Sequence, residues 1–168
     1  MLKKTVFIFS LLFIPILSHA TTVERLSLDD LVKKANRIVI GKVANARTHW
    51  SSDRRLILTT YTIEVAETMK GQTGRTAEFT TIGGKIGDVE LHVAGMPNLD
   101  PGEDAVVFIE QTRTFSTVVG LGQGKFSIRN GEVSNAIDDL TFPDGRPGRQ
   151  LRMPLDSFKN RIKTLAGR

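Results

Sequence analysis

Residues 37–43, with the sequence Arg-Ile-Val-Ile-Gly-Lys-Val, decide how the rest of this chain folds. The run contains four β-branched side chains, at Ile38, Val39, Ile40 and Val43. Such side chains are stiff at χ1 and pack well on a pleated surface. We therefore predict that this run is a central strand of a β-sheet.

The residues that follow predict a mainly β domain. Ile57–Val65 alternates between two side-chain sets, as in a long strand, and a polar connection separates it from the first strand. Further strands are predicted at residues 75–82, 88–93, 105–110, 117–121, 125–129 and 132–137. About eight short strands, with turn residues between them, favour an antiparallel β-barrel of the OB type or a related one.

Helical periodicity occurs only near the two ends of this β region. Ser27 is a typical N-cap, and it precedes an apolar stripe at helical spacing formed by Leu28, Leu31, Val32 and Ala35. A second stripe follows Pro154 and is formed by Leu155, Phe158, Ile162 and Leu165. We predict a short N-terminal helix of about ten residues near 28–35 and a C-terminal helix over about 154–166.

The first twenty residues have the three parts of a secretory signal peptide. Lys3 and Lys4 form a positive start, residues 5–17 form an uncharged apolar run, and Ser18-His19-Ala20 supplies small residues before a cleavage point. The apolar run is too short to span a membrane. We therefore expect a periplasmic or secreted protein, cleaved near Ala20, that is not an integral membrane protein.

Charge divides the remaining chain into two parts. Residues 21–141 are nearly neutral and form the predicted β-barrel domain, whereas residues 142–168 carry seven basic residues against Asp144 and Asp156. We interpret this second part as a basic linker and a C-terminal helix packed on the barrel. A near-neutral body has no electrostatic groove for nucleic acid, so we do not expect a nucleic acid partner. The chain has no cysteine, which excludes a thiol nucleophile and a cysteine zinc site.

Three segments, in order after the first helix, carry a resemblance to known proteins. They are Asn-Arg-Ile-Val-Ile-Gly-Lys-Val at 36–43, Thr-Tyr-Thr-Ile-Glu-Val-Ala-Glu-Thr-Met-Lys-Gly at 60–71, and Pro-Gly-Glu-Asp-Ala-Val-Val-Phe-Ile at 101–109. The chain resembles a family of uncharacterised exported bacterial proteins and, more distantly, the netrin-like OB-type barrels that include tissue inhibitors of metalloproteases. The resemblance covers about residues 27–130 and implies an OB-type barrel and a secreted protease as partner. Those inhibitors use an N-terminal cysteine that this chain lacks, so their inhibitory residues are not carried over.

A serine triad would have to use one of the two histidines in the mature chain, His49 and His92. The sequence has no His-Glu-x-x-His or Gly-x-Ser-x-Gly motif. A structural role at a strand position is the more ordinary one for a lone histidine. A small exported hydrolase using His49 or His92 is therefore an alternative function, and we predict no metal site and no cofactor.

The glycine-rich segment 83–101 is the predicted partner site. Glycine interrupts the strand edges there and leaves backbone donors and acceptors at the rim, although the segment could instead fold back and cap the barrel. The predicted binding residues are Trp50, Gly83, Gly84, Ile86, Gly87, Gly95, Met96 and Leu99. The leading hypothesis is an exported non-catalytic β-barrel module that acts through protein–protein interaction. Binding of a glycan or another anionic envelope polymer is a further alternative.

The signal-peptide hypothesis makes a direct prediction about the N-terminus. Mass spectrometry of the protein recovered outside the cytoplasm should give a chain that begins at Thr21, because signal peptidase cuts after the small residue Ala20. A cytoplasmic protein that retains Met1 would contradict this hypothesis.

Overall fold

The computed structural model of this chain describes residues 23–135, 137, 140–146 and 148–167. The predicted signal peptide at residues 1–20 lies outside the described residues. In chain order the described elements are α1 (Leu28–Lys34), β1 (Arg37–Trp50), β2 (Ile57–Lys70), β3 (Thr76–Ile82), β4 (Gly84–Ile86), β5 (Val89–Leu91), β6 (Asp104–Gln111), β7 (Ser116–Val118), a 3-10 turn (Leu121–Gly124), β8 (Lys125–Arg129), β9 (Glu132–Asn135), β10 (Arg152–Pro154) and α2 (Leu155–Ala166).

The strands form one large antiparallel sheet and one small hairpin. The order in the large sheet is β10-β9-β8-β6-β1-β2-β3, with β7 paired to β6 beyond the end of β8. Strands β4 and β5 pair only with each other among the described residues. The prediction of a mainly β, antiparallel fold with a short N-terminal and a C-terminal helix is confirmed. No described ladder joins β3 to β7, so closure into a barrel stays a prediction.

Strand β6 lies at the centre of the structure because both of its faces are buried. Residues 105–109 are all at most 1 % exposed. Val106 and Phe108 belong to a core shared with α1 and α2, whereas Ala105, Val107 and Ile109 belong to a core on the opposite face. Alternate side chains of a strand point to opposite faces, so this single strand supports two cores.

Strand β1 pairs with β6 on one edge and with β2 on the other. Its predicted central position is confirmed, and β2 ends at Lys70, where the predicted turn residues begin. The sequence ended the first strand at Val43, whereas β1 reaches Trp50. This extension was missed because residues 45–50 pair with β2 alone and lack the apolar pattern of a buried strand. Gly41 permits a close approach within this pair: a Cβ there would lie 2.0 Å from the Glu64 carbonyl oxygen.

Several other predicted boundaries differ from the structure. β4 lies in residues predicted as a glycine loop, and β10 lies just before the C-terminal helix where no strand was predicted. The strand predicted at 117–121 ends at Val118, because the backbone then turns into the 3-10 segment. These strands are three residues long, and hydrogen bonds to a neighbouring strand rather than local periodicity hold them.

Helix α1 begins with a capping box. The Asp30 backbone N–H donates to Ser27 Oγ at 3.2 Å, and the Ser27 backbone N–H donates to Asp30 Oδ2 at 2.9 Å. Hydrogen bonds from Ser27 lower the pKa of the Asp30 carboxyl below its ordinary value. At the other end of this seven-residue helix, the Lys70 ammonium donates to the Val32 and Ala35 carbonyls at 2.6 and 2.7 Å and satisfies acceptors that the helix leaves free.

Helix α2 packs its apolar stripe on the sheet. Phe158 and Ile162 are fully buried, and the Phe158 ring lies 4.6 Å from the Phe126 ring between centroids. On the outer side, Lys159 forms an ion pair with Glu67 of β2 at 2.5 Å. The two described helices are too short and too polar to cross a membrane.

The burial of Phe158 predicts a large effect on stability. Phe158→Ala should lower the free energy of unfolding by about 3–5 kcal/mol, because it removes a buried ring and leaves a cavity against Phe126. Chemical denaturation measures the change. Asn160→Ala, at an exposed position of the same helix, is the control and should change stability by less than about 0.5 kcal/mol. Equal stabilities for the two variants would show that α2 does not pack on the sheet.

Candidate functional site

A cavity of about 540 Å³ lies between the large sheet and the segment 83–101. One wall comes from the ends of β1, β2 and β3, and the other comes from β4, β5 and the loop that follows them. Apolar side chains and polar groups both line it. A concave site of this size with a few convergent polar groups is typical of a ligand-binding site.

A row of three threonines forms the floor of the cavity. Thr48, Thr59 and Thr81 stand opposite one another on three adjacent strands. The Thr59 hydroxyl donates to the Gly83 carbonyl at 2.7 Å, and the Thr48 and Thr59 hydroxyls lie 3.1 Å apart in a hydrogen bond. The floor is therefore polar, pre-ordered and connected directly to the start of the glycine-rich segment.

Tyr61 binds the segment 83–101 near its other end. Its phenol donates to Asn98 Oδ1 at 2.9 Å, and its ring stacks on Phe79 with centroids 5.2 Å apart. Burial is the largest influence on the phenol and raises its pKa above the ordinary value. Tyr61 is thus a neutral hydrogen-bond donor at neutral pH that holds the loop against the sheet.

A partly buried ionic cluster holds the turn that closes the cavity. Glu103 accepts hydrogen bonds from Lys125 at 2.5 Å and from Ser127 at 2.6 Å, and it also accepts from the Asp100 backbone N–H at 3.3 Å. Burial opposes ionisation of Glu103, but the bonds from Lys125 and Ser127 outweigh it and hold the pKa of this carboxyl below its usual range. The cluster therefore keeps the turn at 100–103 attached to β8 at neutral pH.

Gly84 allows β4 to lie directly over the threonine floor. Its φ is +127°, a conformation that residues with a side chain rarely adopt. A Cβ at this position would lie 2.6 Å from Thr59 Oγ1 and 2.7 Å from Thr48 Cγ2. Only glycine leaves the space that this approach requires.

Half of the sequence-predicted binding residues line the cavity. They are Gly83, Gly84, Met96 and Leu99. Met96 is half-buried, but Leu99 is only 2 % exposed and packs in the core that contains Tyr61. Leu99 therefore fixes the loop to the core and offers no accessible apolar contact.

The structure does not bring the other predicted residues to the cavity wall. Ile86 and Gly87 lie at the tip of the β4–β5 hairpin, and Gly95 lies against Leu140 on another side of the loop. Trp50 ends β1 opposite Ile57 and is 39 % exposed. It stands two residues beyond Thr48, so it extends the same strand past the cavity.

The two histidines occupy different places. His92 lines the cavity, just after β5, and is exposed. His49 lies on the opposite face of β1, where its ring nitrogens are 3.1 Å from the Thr60 hydroxyl and from the Trp50 carbonyl. The part of the chain that the structure describes contains no group of three His, Cys, Asp or Glu side chains placed to hold a metal ion.

Sequence reasoning missed the polar floor of the cavity. Thr59 and Tyr61 share one strand face with the core residue Ile63, but the alternation at 57–65 was interpreted only as a long strand. The three threonines come from three separate strands, and only the strand register places Thr48 and Thr81 beside Thr59. Asn98 was missed because its role depends on a contact across 37 residues.

Comparison with known proteins gives no relative. No protein-family model matches the chain, and no curated protein and no solved structure matches it. The resemblance to netrin-like barrels therefore remains a prediction from the three sequence segments.

The close approach at Gly84 predicts a position-specific effect. Gly84→Ala should displace β4 from the floor and cost about 1–3 kcal/mol from overpacking, in addition to the backbone strain. Gly87→Ala is the matched control, because Gly87 also has a positive φ but no atom within 4 Å of its Cβ position. Denaturation and amide exchange at β4 measure the difference. Equal losses for both variants would mean that β4 does not rest on the threonines.

Proposed function

We propose that this chain is an exported, non-catalytic binding module that holds a segment of a partner protein in the cavity beneath residues 83–101. The observation that supports this proposal most directly is the cavity itself, in which a fixed polar floor faces a glycine-rich wall. Met96 offers an adaptable apolar contact on that wall, and methionine adapts well to irregular partner surfaces.

A non-catalytic role agrees with the bonding inside the cavity. Thr48 and Thr59 bond to each other, and Thr59 also bonds to the backbone. Among the described residues, no hydrogen bond joins His92 to a hydroxyl that could act as a nucleophile. His49 does contact the Thr60 hydroxyl at 3.1 Å, but on the face of β1 that points away from the cavity. The hydrolase alternative therefore has less support than binding.

We also propose that the large sheet closes into an OB-type barrel around the core that contains Ala105, Val107 and Ile109. β3 lies against β7, although no described ladder joins them. The Arg37 guanidinium bridges this seam, since it donates to the Glu78 carbonyl on β3 and to Ser116 Oγ on β7. This placement and the resemblance to netrin-like barrels together favour a secreted protease as the partner, reached after export through the predicted signal peptide.

One observation favours the glycan alternative. A row of hydroxyls with a nearby amide, as at Thr48, Thr59, Thr81 and Asn98, could bond to sugar hydroxyls. The aromatic ring in the cavity is less suitable, because Tyr61 is buried and stacked on Phe79. We therefore place partner-protein binding first.

Site-specific crosslinking tests the proposal in the native cell envelope. A photoreactive amino acid at position 96 should crosslink to another protein, because this side chain faces the cavity. The same amino acid at position 113, in the exposed turn between β6 and β7, is the matched control and should give no such product. Met96→Glu should remove capture of the crosslinked protein while the melting temperature stays unchanged.

Two results would contradict the proposal. The first is equal crosslinking at positions 96 and 113, which would show no preference for the cavity. The second is loss of a hydrolytic activity when His49 and His92 are both replaced by alanine, which would favour the enzyme alternative.

A further inference from the structure

Strand β1 continues beyond the end of β6, the strand that pairs with one of its two edges. β6 pairs with β1 only from Arg37 to Lys42, and the Val43 backbone bonds to the turn at Gly102 and Glu103. Beyond that point, Ala44 forms a bulge and residues 45–50 pair with β2 on one side, while residues 44–50 pair with no described strand on the other. A free strand edge carries a row of unpaired N–H and C=O groups that can accept another strand.

This free edge borders the cavity. Ala46 and Thr48 line the cavity wall, whereas Arg47 between them points to the opposite face of the sheet. Residues 44, 45, 47 and 50 are exposed, and among the described residues no backbone–backbone hydrogen bond from outside the β1–β2 pair reaches residues 44–50. An added strand would therefore present one set of side chains to the cavity and the other set to Arg47.

The segment 44–56, which carries this edge, has a net positive charge. Residues 44–56 contain three arginines, Arg47, Arg54 and Arg55, against a single acidic residue, Asp53. Asp53 lies 3.8 Å from Arg55, and Arg47 has no acidic partner among the described residues. A second copy of this chain would bring arginines to face arginines, which disfavours pairing of two such edges.

We propose that residues 44–50 of β1 are a β-augmentation site for an extended acidic segment of the partner protein. This inference rests on the proposed function and names the partner's chemistry at the same site. The segment pairs its backbone with β1, turns small apolar side chains toward Ala46 and Thr48, and turns carboxylates toward Arg47. The site would therefore bind segments of the partner in which apolar and acidic residues alternate, with little dependence on the rest of the partner's sequence.

A defined peptide tests the pairing on the full mature chain. The probe is a blocked peptide of about seven residues in which valine and glutamate alternate, to match the length of the free edge. On addition of the probe, amide exchange at residues 44–50 should slow, and a probe with lysine in place of glutamate should not bind.

Arg47→Glu should weaken binding of the probe about tenfold, because it replaces attraction by repulsion. Arg113→Glu, with the same charge change at the other end of the sheet, should weaken it by less than about twofold.

Methylation of backbone nitrogens in the probe distinguishes backbone pairing from simple charge attraction. A strand uses alternate amides on its bonded edge, so methylation of one alternate set of nitrogens should abolish binding and methylation of the other set should leave it. Equal binding of both methylated probes would overturn the inference. It would also be overturned if residues 44–50 were already protected without probe, through a dimer or another part of the chain. Crosslinking at position 96 without any binding of the probe would overturn this inference alone and leave the proposed function standing.

Discussion

Burial of β6 on both faces is the constraint on which the rest of this structure depends. Five consecutive side chains of this strand are withdrawn from water, and they alternate between two cores. A strand in this position needs neighbours on both edges and cover on both faces, because its backbone groups and its side chains must all be satisfied away from water. Strand β1 pairs with one edge, and β8 and β7 together pair with the other. The two helices cover one face, and Tyr61 and Phe79 help to cover the other.

The cavity and the free edge follow from a difference in length between neighbouring strands. β6 begins at Asp104, opposite Lys42, whereas β1 and β2 continue beyond that point. The inner face of this extension is covered by the segment 83–101, which contains the short β4–β5 hairpin. Two polar attachments fix the segment: Thr59 binds its start at Gly83, and Tyr61 binds it near its end at Asn98. Burial of Leu99 adds an apolar attachment beside Asn98, and the cavity lies between these attachments and the one at Gly83.

The parts of the fold that the sequence predicted are those with a strong local pattern. β8 at Lys125–Arg129 matches its predicted bounds, since it is an alternating run followed by Asn130-Gly131, a dipeptide that favours a tight turn. α2 was predicted because Pro154 precedes a clear apolar stripe. β4 and β10 were not predicted, because pairing with a neighbour creates these short strands. For the site, glycine content indicated the segment 83–101, but it did not show that Leu99 points into the core or that Gly95 lies against Leu140.

The amino-acid sequence by itself determined the antiparallel β class, the position of both helices and the glycine-rich segment that forms one wall of the cavity. These features depend on periodicity and turn residues within about ten neighbouring positions, so local sequence carries them. Only the tertiary structure decided the register that aligns Thr48, Thr59 and Thr81. It also decided the point beyond which β6 no longer pairs with β1 and one edge of β1 is free. Register and strand order arise from contacts between residues far apart in the chain. The free energy of those contacts depends on the whole folded arrangement and is not encoded by any short segment.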